Sequence, residues 1–276
     1  MTREARIAFI GGGNMARSLI GGLITDGYPA NRIVVSEPDA DRRSRLGAEL
    51  GVEATEDNAA AAQEAEAVIL AVKPQVLRGV AEALGPTIRQ QGAVAVSIAA
   101  GVRLGDLERW LGDSTPLVRT MPNTPSLVGS GATALIANAA ASTAQCNLAE
   151  RLLRAVGQTR WLDTEGQMDA VTALSGSGPA YFFLIMEALE DAGAELGLDR
   201  ETARLLTLET ALGAARMALE AEDTPAQLRR RVTSPQGTTE QALEVLEDAD
   251  LRGALQRAAR AAAERADELG NLLGEQ

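Results

Sequence analysis

An α/β domain on a doubly wound parallel sheet, followed by an all-helical half, is the architecture that this sequence of 276 residues predicts. Three observations carry it. Short β-branched runs alternate with helical patterns through the first half, as in parallel strands joined by crossover helices. A glycine turn, Gly11-x-Gly13-x-x-Ala16, joins the first such run to a helix. After Asp163 the strand patterns stop, and apolar residues recur at helical spacing. The division predicts a dinucleotide-binding domain of Rossmann type at 1–162 and an all-helical domain at 163–276.

Strands are expected over Arg6–Ile10, Arg32–Ser36, Ala67–Val72, Ala93–Ile98 and Leu117–Thr120, with Ala132–Ala137 and Thr159–Leu162 completing the sheet. Helices such as Met15–Asp26 and Asp41–Leu50 connect them, and Pro74, Pro116, Pro122 and Pro125 mark loops. In the second half Met168–Ala173, Ala180–Leu196, Glu201–Glu220, Pro225–Arg231, Thr239–Leu246 and Leu251–Leu273 read as helices. Leu205–Ala218 is apolar or small nearly all round, which predicts burial in a core or a subunit interface. So alanine-rich a helical half can hardly bury every face within one chain, and a dimer is expected.

Composition narrows the function. The hydrophobic share of 46% is ample for a core, and with aromatics at 3% that core is aliphatic. A net charge of −12 argues against a nucleic-acid partner, which needs basic patches. No apolar run is long and clean enough to span a membrane. The lone Cys146 cannot form an internal disulfide, and with no signal peptide ahead of the first strand a cytoplasmic location is expected. Histidine is absent, and Lys73 is the only lysine among 26 basic residues, so the usual general acids are missing. No metal site is expected.

Ile7–Ala16 reads IAFIGGGNMA, a strand running into a glycine turn and a helix. The first glycine allows the tight turn, the second lets a pyrophosphate approach the backbone, and Ala16 still permits close helix–strand packing. Phosphates would sit at the helix N-terminus, where free N–H groups and the dipole favour an anion. At the end of the second strand, Ser36 and Glu37 stand where an acid binds the ribose hydroxyls of NAD(H), while Arg42 and Arg43 follow closely enough to clamp a 2′-phosphate. NADPH and NADH therefore both remain open. Ala71-Val72-Lys73-Pro74 and Ala99-Ala100-Gly101 follow later strands, and ligands bind outside such strand ends. Met121-Pro122-Asn123-Thr124-Pro125 should line the same crevice.

The second half carries the substrate signal. Reducing a carbonyl needs a proton donor, and residues 163–276 hold neither lysine nor histidine. A cyclic iminium arrives already charged, and hydride addition neutralises it. Positioning and one hydrogen-bonding group at nitrogen suffice, which Ser or Thr can supply. In TSPQGTTEQALEVLE, from Thr233 to Glu247, a loop of backbone N–H groups opens a helix and suits a carboxylate. A plain Ser/Thr cap would satisfy the same donors from within.

Taken together, IGGGNMA, AVKP, SIAAG, MPNTP, DAVTALSGSGPAY and TSPQGTTEQALEVLE resemble, in order and spacing, pyrroline-5-carboxylate reductase over nearly the whole chain. The resemblance implies NAD(P)H-dependent reduction of 1-pyrroline-5-carboxylate to L-proline, the last step of proline synthesis. It implies homodimers interlocked through the C-terminal helices, often assembled into decamers. By matching position it assigns Ile10, Gly11, Gly12, Gly13, Asn14, Met15, Asn58, Ala71, Val72, Lys73, Pro74, Ala99, Ala100 and Gly101 to the cofactor. Thr239 matches the threonine that hydrogen-bonds the ring nitrogen, and Ser234 a serine of the same loop. The N–H groups of Gly237, Thr238 and Thr239 match those holding the substrate carboxylate, and Glu165 matches an acid near the substrate. The sequence departs from the family at Gln236, which stands where the middle glycine of Pro-Gly-Gly is usual, and at Arg231, where some relatives carry an amide. A reductase of six-membered cyclic imines and a non-catalytic nucleotide-binding regulator are the alternative readings.

Overall fold

The computed structural model describes residues 4–275. The first stretch alternates strands and helices: β1 (Ile7–Ile10), α1 (Asn14–Thr25), β2 (Ile33–Ser36), α2 (Ala40–Leu50), β3 (Glu53–Thr55), α3 (Asn58–Ala62), β4 (Ala67–Leu70), α4 (Pro74–Gln91), β5 (Val94–Ser97), α5 (Leu104–Leu111) and β6 (Leu117–Met121). β7 (Gly131–Ala137), α6 (Thr143–Arg154) and β8 (Gly157–Trp161) complete the α/β part. Helices follow: α7 (Met168–Val171), a π-helical turn at Thr172–Gly176, α8 (Gly178–Glu195), α9 (Arg200–Glu220), α10 (Pro225–Arg231), α11 (Thr238–Asp248) and α12 (Leu251–Glu275).

The strands form one sheet in the order β3-β2-β1-β4-β5-β6-β7-β8. All neighbours run parallel except β6 and β7. β1, β2, β4 and β5 are buried on both faces, which is why they read as continuous β-branched and alanine runs. The chain winds outward from β1 through β2 to β3, then resumes on the other side of β1 with β4. That reversal opens a crevice at the C-terminal ends of β1 and β4. The predicted doubly wound α/β domain followed by helices is thus observed. β3 has no counterpart among the predicted strands: it is a three-residue edge strand, partly exposed and paired only with β2.

Two compact units result. One comprises the residues up to Ser177 together with those from Ala262 onward, and the other is Gly178–Ala261. The last turns of α12 pack within the first unit. Leu273 joins the apolar cluster under β5 and α5, and Arg103 binds the Asp267 carboxylate at 2.6 Å. In the second unit α8 packs on α9, so closely that a Cβ at Gly193 would lie 3.0 Å from that of Ala203. Much of the remaining apolar surface is uncovered in a single chain: Phe182, Phe183, Leu184, Leu205 and Leu206 are all more than half exposed. An apolar patch of this kind marks an interface with another molecule.

Candidate active site

The loops predicted to hold the cofactor are built by the sheet. Gly11 leaves β1 with φ 103°, and its N–H donates to Ser36 O of β2 at 2.8 Å. A Cβ there would lie 2.8 Å from Ala71 O at the end of β4, so only glycine fits where the two strand ends meet. Gly13 then caps α1, and no side chain hydrogen-bonds the first turn of that helix. Its N-terminus therefore faces outward without an internal acceptor, as an anion site requires. Asn14 is exposed and Met15 half-buried at this start, while Ala16 is buried against the core.

The end of β2 is arranged differently from a free ribose-binding acid. Glu37 is only 4% exposed. Its Oε2 accepts from Gly12 N–H at 3.0 Å and its Oε1 from Asp39 N–H at 3.0 Å. It is thus a brace for the glycine loop, with Arg42 at 4.0 Å. Arg43 turns inward, donating to Glu37 O at 2.7 Å and Pro38 O at 3.1 Å. Ser36 Oγ donates to Asn58 Oδ1 at 2.7 Å, which joins two of the predicted residues. Between the loop and α2 lies a cavity of about 220 Å³ lined by Gly12, Asn14, Arg17, Arg42, Arg45 and Leu46. Its arginines and the uncapped α1 fit a dinucleotide with anionic groups.

The other predicted cofactor loops sit at neighbouring strand ends. Ala71 N–H donates to Ile10 O at 2.8 Å, Lys73 is exposed at the cap of α4, and Pro74 starts that helix. Val72 packs partly against the core. Ala99 is buried and Ala100 exposed, and Gly101 has φ 81° with Leu273 of α12 against it. Asn123 of the MPNTP segment bridges to the π-helical turn, donating to Ser175 O and Oγ, each at 3.2 Å. That turn closes with Ser177 N–H on Thr172 O. π turns of this kind concentrate at functional sites.

Glu165 is held within the first unit. Its Oε1 accepts from the guanidinium of Arg119, which is buried in β6, and from the N–H of Leu104 at the start of α5. Its Oε2 makes no hydrogen bond among the described residues. Near it, burial pushes the Asp169 carboxyl above the usual carboxylate range, while Arg119 opposes the shift.

The loop that the family resemblance assigns to the substrate lies in the second unit. Gly237 caps α11 with no side-chain hydrogen bond to the first turn, and its own N–H donates to Ser234 O at 3.0 Å. The plain Ser/Thr cap that the sequence permits is therefore not formed: the hydroxyls of Ser234, Thr238 and Thr239 are not spent on the helix start. Thr239 is half-buried, whereas Ser234 and Thr238 are exposed. Gln236 adopts φ 60°, and its N–H donates to Glu240 Oε2 at 2.6 Å. Arg231 pairs with Asp223. Glu240 and Arg119 were missed in the sequence, although a glutamate at the third position of a helix is a recognisable signal.

Residues 165–269 match the family profile described as pyrroline-5-carboxylate reductase dimerisation. A pyrroline-5-carboxylate reductase of Pseudomonas aeruginosa is 53% identical over 270 residues, covering 98% of each chain. The chain belongs to the pyrroline-5-carboxylate reductase family. A family member from Pisum sativum is 39% identical over 264 residues, covering 95% of each chain. The solved structure of a pyrroline-5-carboxylate reductase from Coxiella burnetii superposes with a TM-score of 0.93 at 50% identity, covering 97% of this chain and 99% of that one. A Plasmodium falciparum pyrroline carboxylate reductase with NADP bound gives 0.86 at 28% identity, over 97% and 98%. Residues 6–101 also match a profile described as NADP oxidoreductase coenzyme F420-dependent, which spans the glycine loop and the strands around it. The chain is thus a member of an NAD(P)-dependent oxidoreductase family and carries its dimerisation module. No helix among the described residues is long and apolar enough to cross a membrane, and no three or more Cys, Asp or Glu side chains there cluster as metal ligands would.

Proposed function

We infer that this chain reduces 1-pyrroline-5-carboxylate to L-proline with NADPH or NADH, the last step of proline biosynthesis. The observation that carries the site assignment is the start of α11, where glycine caps the helix and no side chain occupies its first N–H groups. In a family whose members act on a cyclic imine carboxylate, such a start is suited to the carboxylate.

The N–H groups of Thr238 and Thr239 hold that carboxylate in this reading, since the Gly237 N–H, which the family match also assigned to it, is taken by Ser234 O; the Thr239 hydroxyl accepts from the protonated ring nitrogen. Ser234 contributes from the same loop, and Glu165 is the acid that the family resemblance assigns near the substrate. Ile10–Met15, Ser36, Glu37, Asn58, Ala71–Pro74 and Ala99–Gly101 hold and orient the dinucleotide. A bound nicotinamide supplies the hydride. C5 of the ring takes it, the C=N π pair withdraws to nitrogen, and the positive charge disappears. No titrating acid is needed at that step, in keeping with a chain that has no histidine. Residues 1–162 serve the cofactor, and residues 163–276 serve substrate and dimerisation through the C-terminal helices. The dimer builds toward a decamer, and the enzyme works in the cytoplasm.

Initial rates of NADPH and NADH oxidation with pyrroline-5-carboxylate, a six-membered imine carboxylate and a ketoacid test the reading. Turnover is expected with pyrroline-5-carboxylate. Preference for the larger ring, or binding of cofactor without oxidation, would overturn it.

A further inference from the structure

Gln236 sits in a backbone conformation that glycine or asparagine enters readily and glutamine does not. The turn around it explains why. Gly237 N–H bonds back to Ser234 O, with Pro235 second and a positive φ third, at Gln236. This is the pattern of a type II turn, whose third position calls for Gly or Asn. Something must hold a glutamine there.

Glu240 is placed to do so. It is the third residue of α11, from which a glutamate reaches back over the helix start. Instead of bonding the N–H of the cap residue, it takes the Gln236 N–H, one residue earlier, at 2.6 Å. The turn is thereby closed at one peptide by Ser234 O and pinned at the adjacent one by Glu240. The amides of Thr238 and Thr239 are left without a side-chain acceptor.

We propose that Glu240 is a positioning residue for substrate: it holds Gln236 left-handed and so keeps the 234–239 loop in its carboxylate-binding shape. This rests on the assignment of that loop to the substrate carboxylate. Without the tie, glutamine leaves the left-handed region in most molecules. The apparent affinity then falls by the fraction that remains competent. A glycine at 236 would hardly need the tie, so the two positions are coupled. Charge alone predicts the opposite sign: a carboxylate beside the substrate's own carboxylate repels it, and its removal would tighten binding.

The test is steady-state kinetics on the full chain at saturating NADPH, with cofactor Kd from fluorescence titration, for Glu240→Ala, Glu240→Gln, Gln236→Gly and Gln236→Gly/Glu240→Ala. Glu240→Ala should raise the KM for pyrroline-5-carboxylate about threefold to tenfold, with a much smaller change in kcat and none in cofactor Kd. Glu240→Gln keeps an acceptor oxygen and should restore most of the loss. In the Gln236→Gly background the same Glu240→Ala step should change KM by less than about twofold. An equal factor in both backgrounds, a lower KM in Glu240→Ala, or a glutamine no better than alanine would overturn the proposal. Thr239→Ala run alongside separates the two ideas. If it is impaired while the Glu240 variants behave as the parent, only the role of Glu240 falls. If Thr239→Ala is also unimpaired, the loop is not the substrate site and both fall.

Discussion

Replacing Glu37 by glutamine should weaken both nicotinamide cofactors in the same direction. Glu37 is almost fully buried, and its two oxygens each accept a backbone N–H, from Gly12 and from Asp39, both at 3.0 Å. Glutamine keeps the shape but has one acceptor oxygen, so its NH₂ must confront one of the two donors. The loss is one charge-assisted hydrogen bond and one stranded N–H, about 1.5–3 kcal/mol. At about 2–4 °C per kcal/mol for a chain of this size, Tm should fall by several degrees. Because Gly12 lies in the turn between β1 and α1, the displaced amide should loosen the seat proposed for the pyrophosphate rather than that of the ribose. Fluorescence titration should show Kd for NADH and NADPH rising together, by about tenfold for 1.4 kcal/mol. A Kd that rises for NADH and falls for NADPH, at unchanged Tm, would refute the reasoning and make Glu37 a discriminator of the 2′-position.

Three further outcomes follow from the same geometry. Glu165→Ala leaves the buried Arg119 guanidinium and the Leu104 N–H without their acceptor, and should cost about 3–5 kcal/mol in chemical denaturation; a change below about 1 kcal/mol, the size of an exposed pair, would contradict it. Burial pushes the Tyr28 phenol from 10.0 to about 12. Its folded pKa lies above the unfolded one, so this contribution is complete below pH 10 and is lost as pH rises from 10 toward 12. Urea midpoints measured across that range should fall less steeply in Tyr28→Phe, which also gives up the hydrogen bond to Ala5 O. Leu273→Ala removes a buried side chain that rests against Gly101; it should cost about 2 kcal/mol and raise cofactor KM, and an unchanged Tm would show that the end of α12 is not docked as described.

What the sequence discloses depends on how local the cause is. The β1 turn is legible because a fixed steric demand, a positive φ beside Ala71 O, is written as glycine. The buried strands are legible because burial on both faces demands continuous apolar residues. β3 is not, since three half-exposed residues on a sheet edge carry no periodicity. Glu37 and Arg43 occupy the expected positions, but spacing says nothing of side-chain direction, and both turn toward backbone rather than outward. Met168–Ala173 reads as a helix, and the backbone widens from it into a π turn over Thr172–Gly176, which apolar spacing does not signal. The return of α12 to the first unit rests on contacts such as Arg103 with Asp267, distant in sequence and invisible to a local pattern. At the proposed substrate loop the residues permit either a hydroxyl cap or an open helix start. The structure distinguishes them, through a glycine at the cap and a glutamate side chain turned one residue back.

The central claim is that the open amides of Thr238 and Thr239, behind the Gly237 cap, bind the imine carboxylate while the Thr239 hydroxyl meets the ring nitrogen. Its most direct measurement is kcat/KM for pyrroline-5-carboxylate in Thr239→Ala beside the parent enzyme, with NADPH Kd determined on both. A loss of about tenfold or more in kcat/KM, with Kd for NADPH unchanged, is the predicted result. Equal kcat/KM in the two proteins would contradict the account.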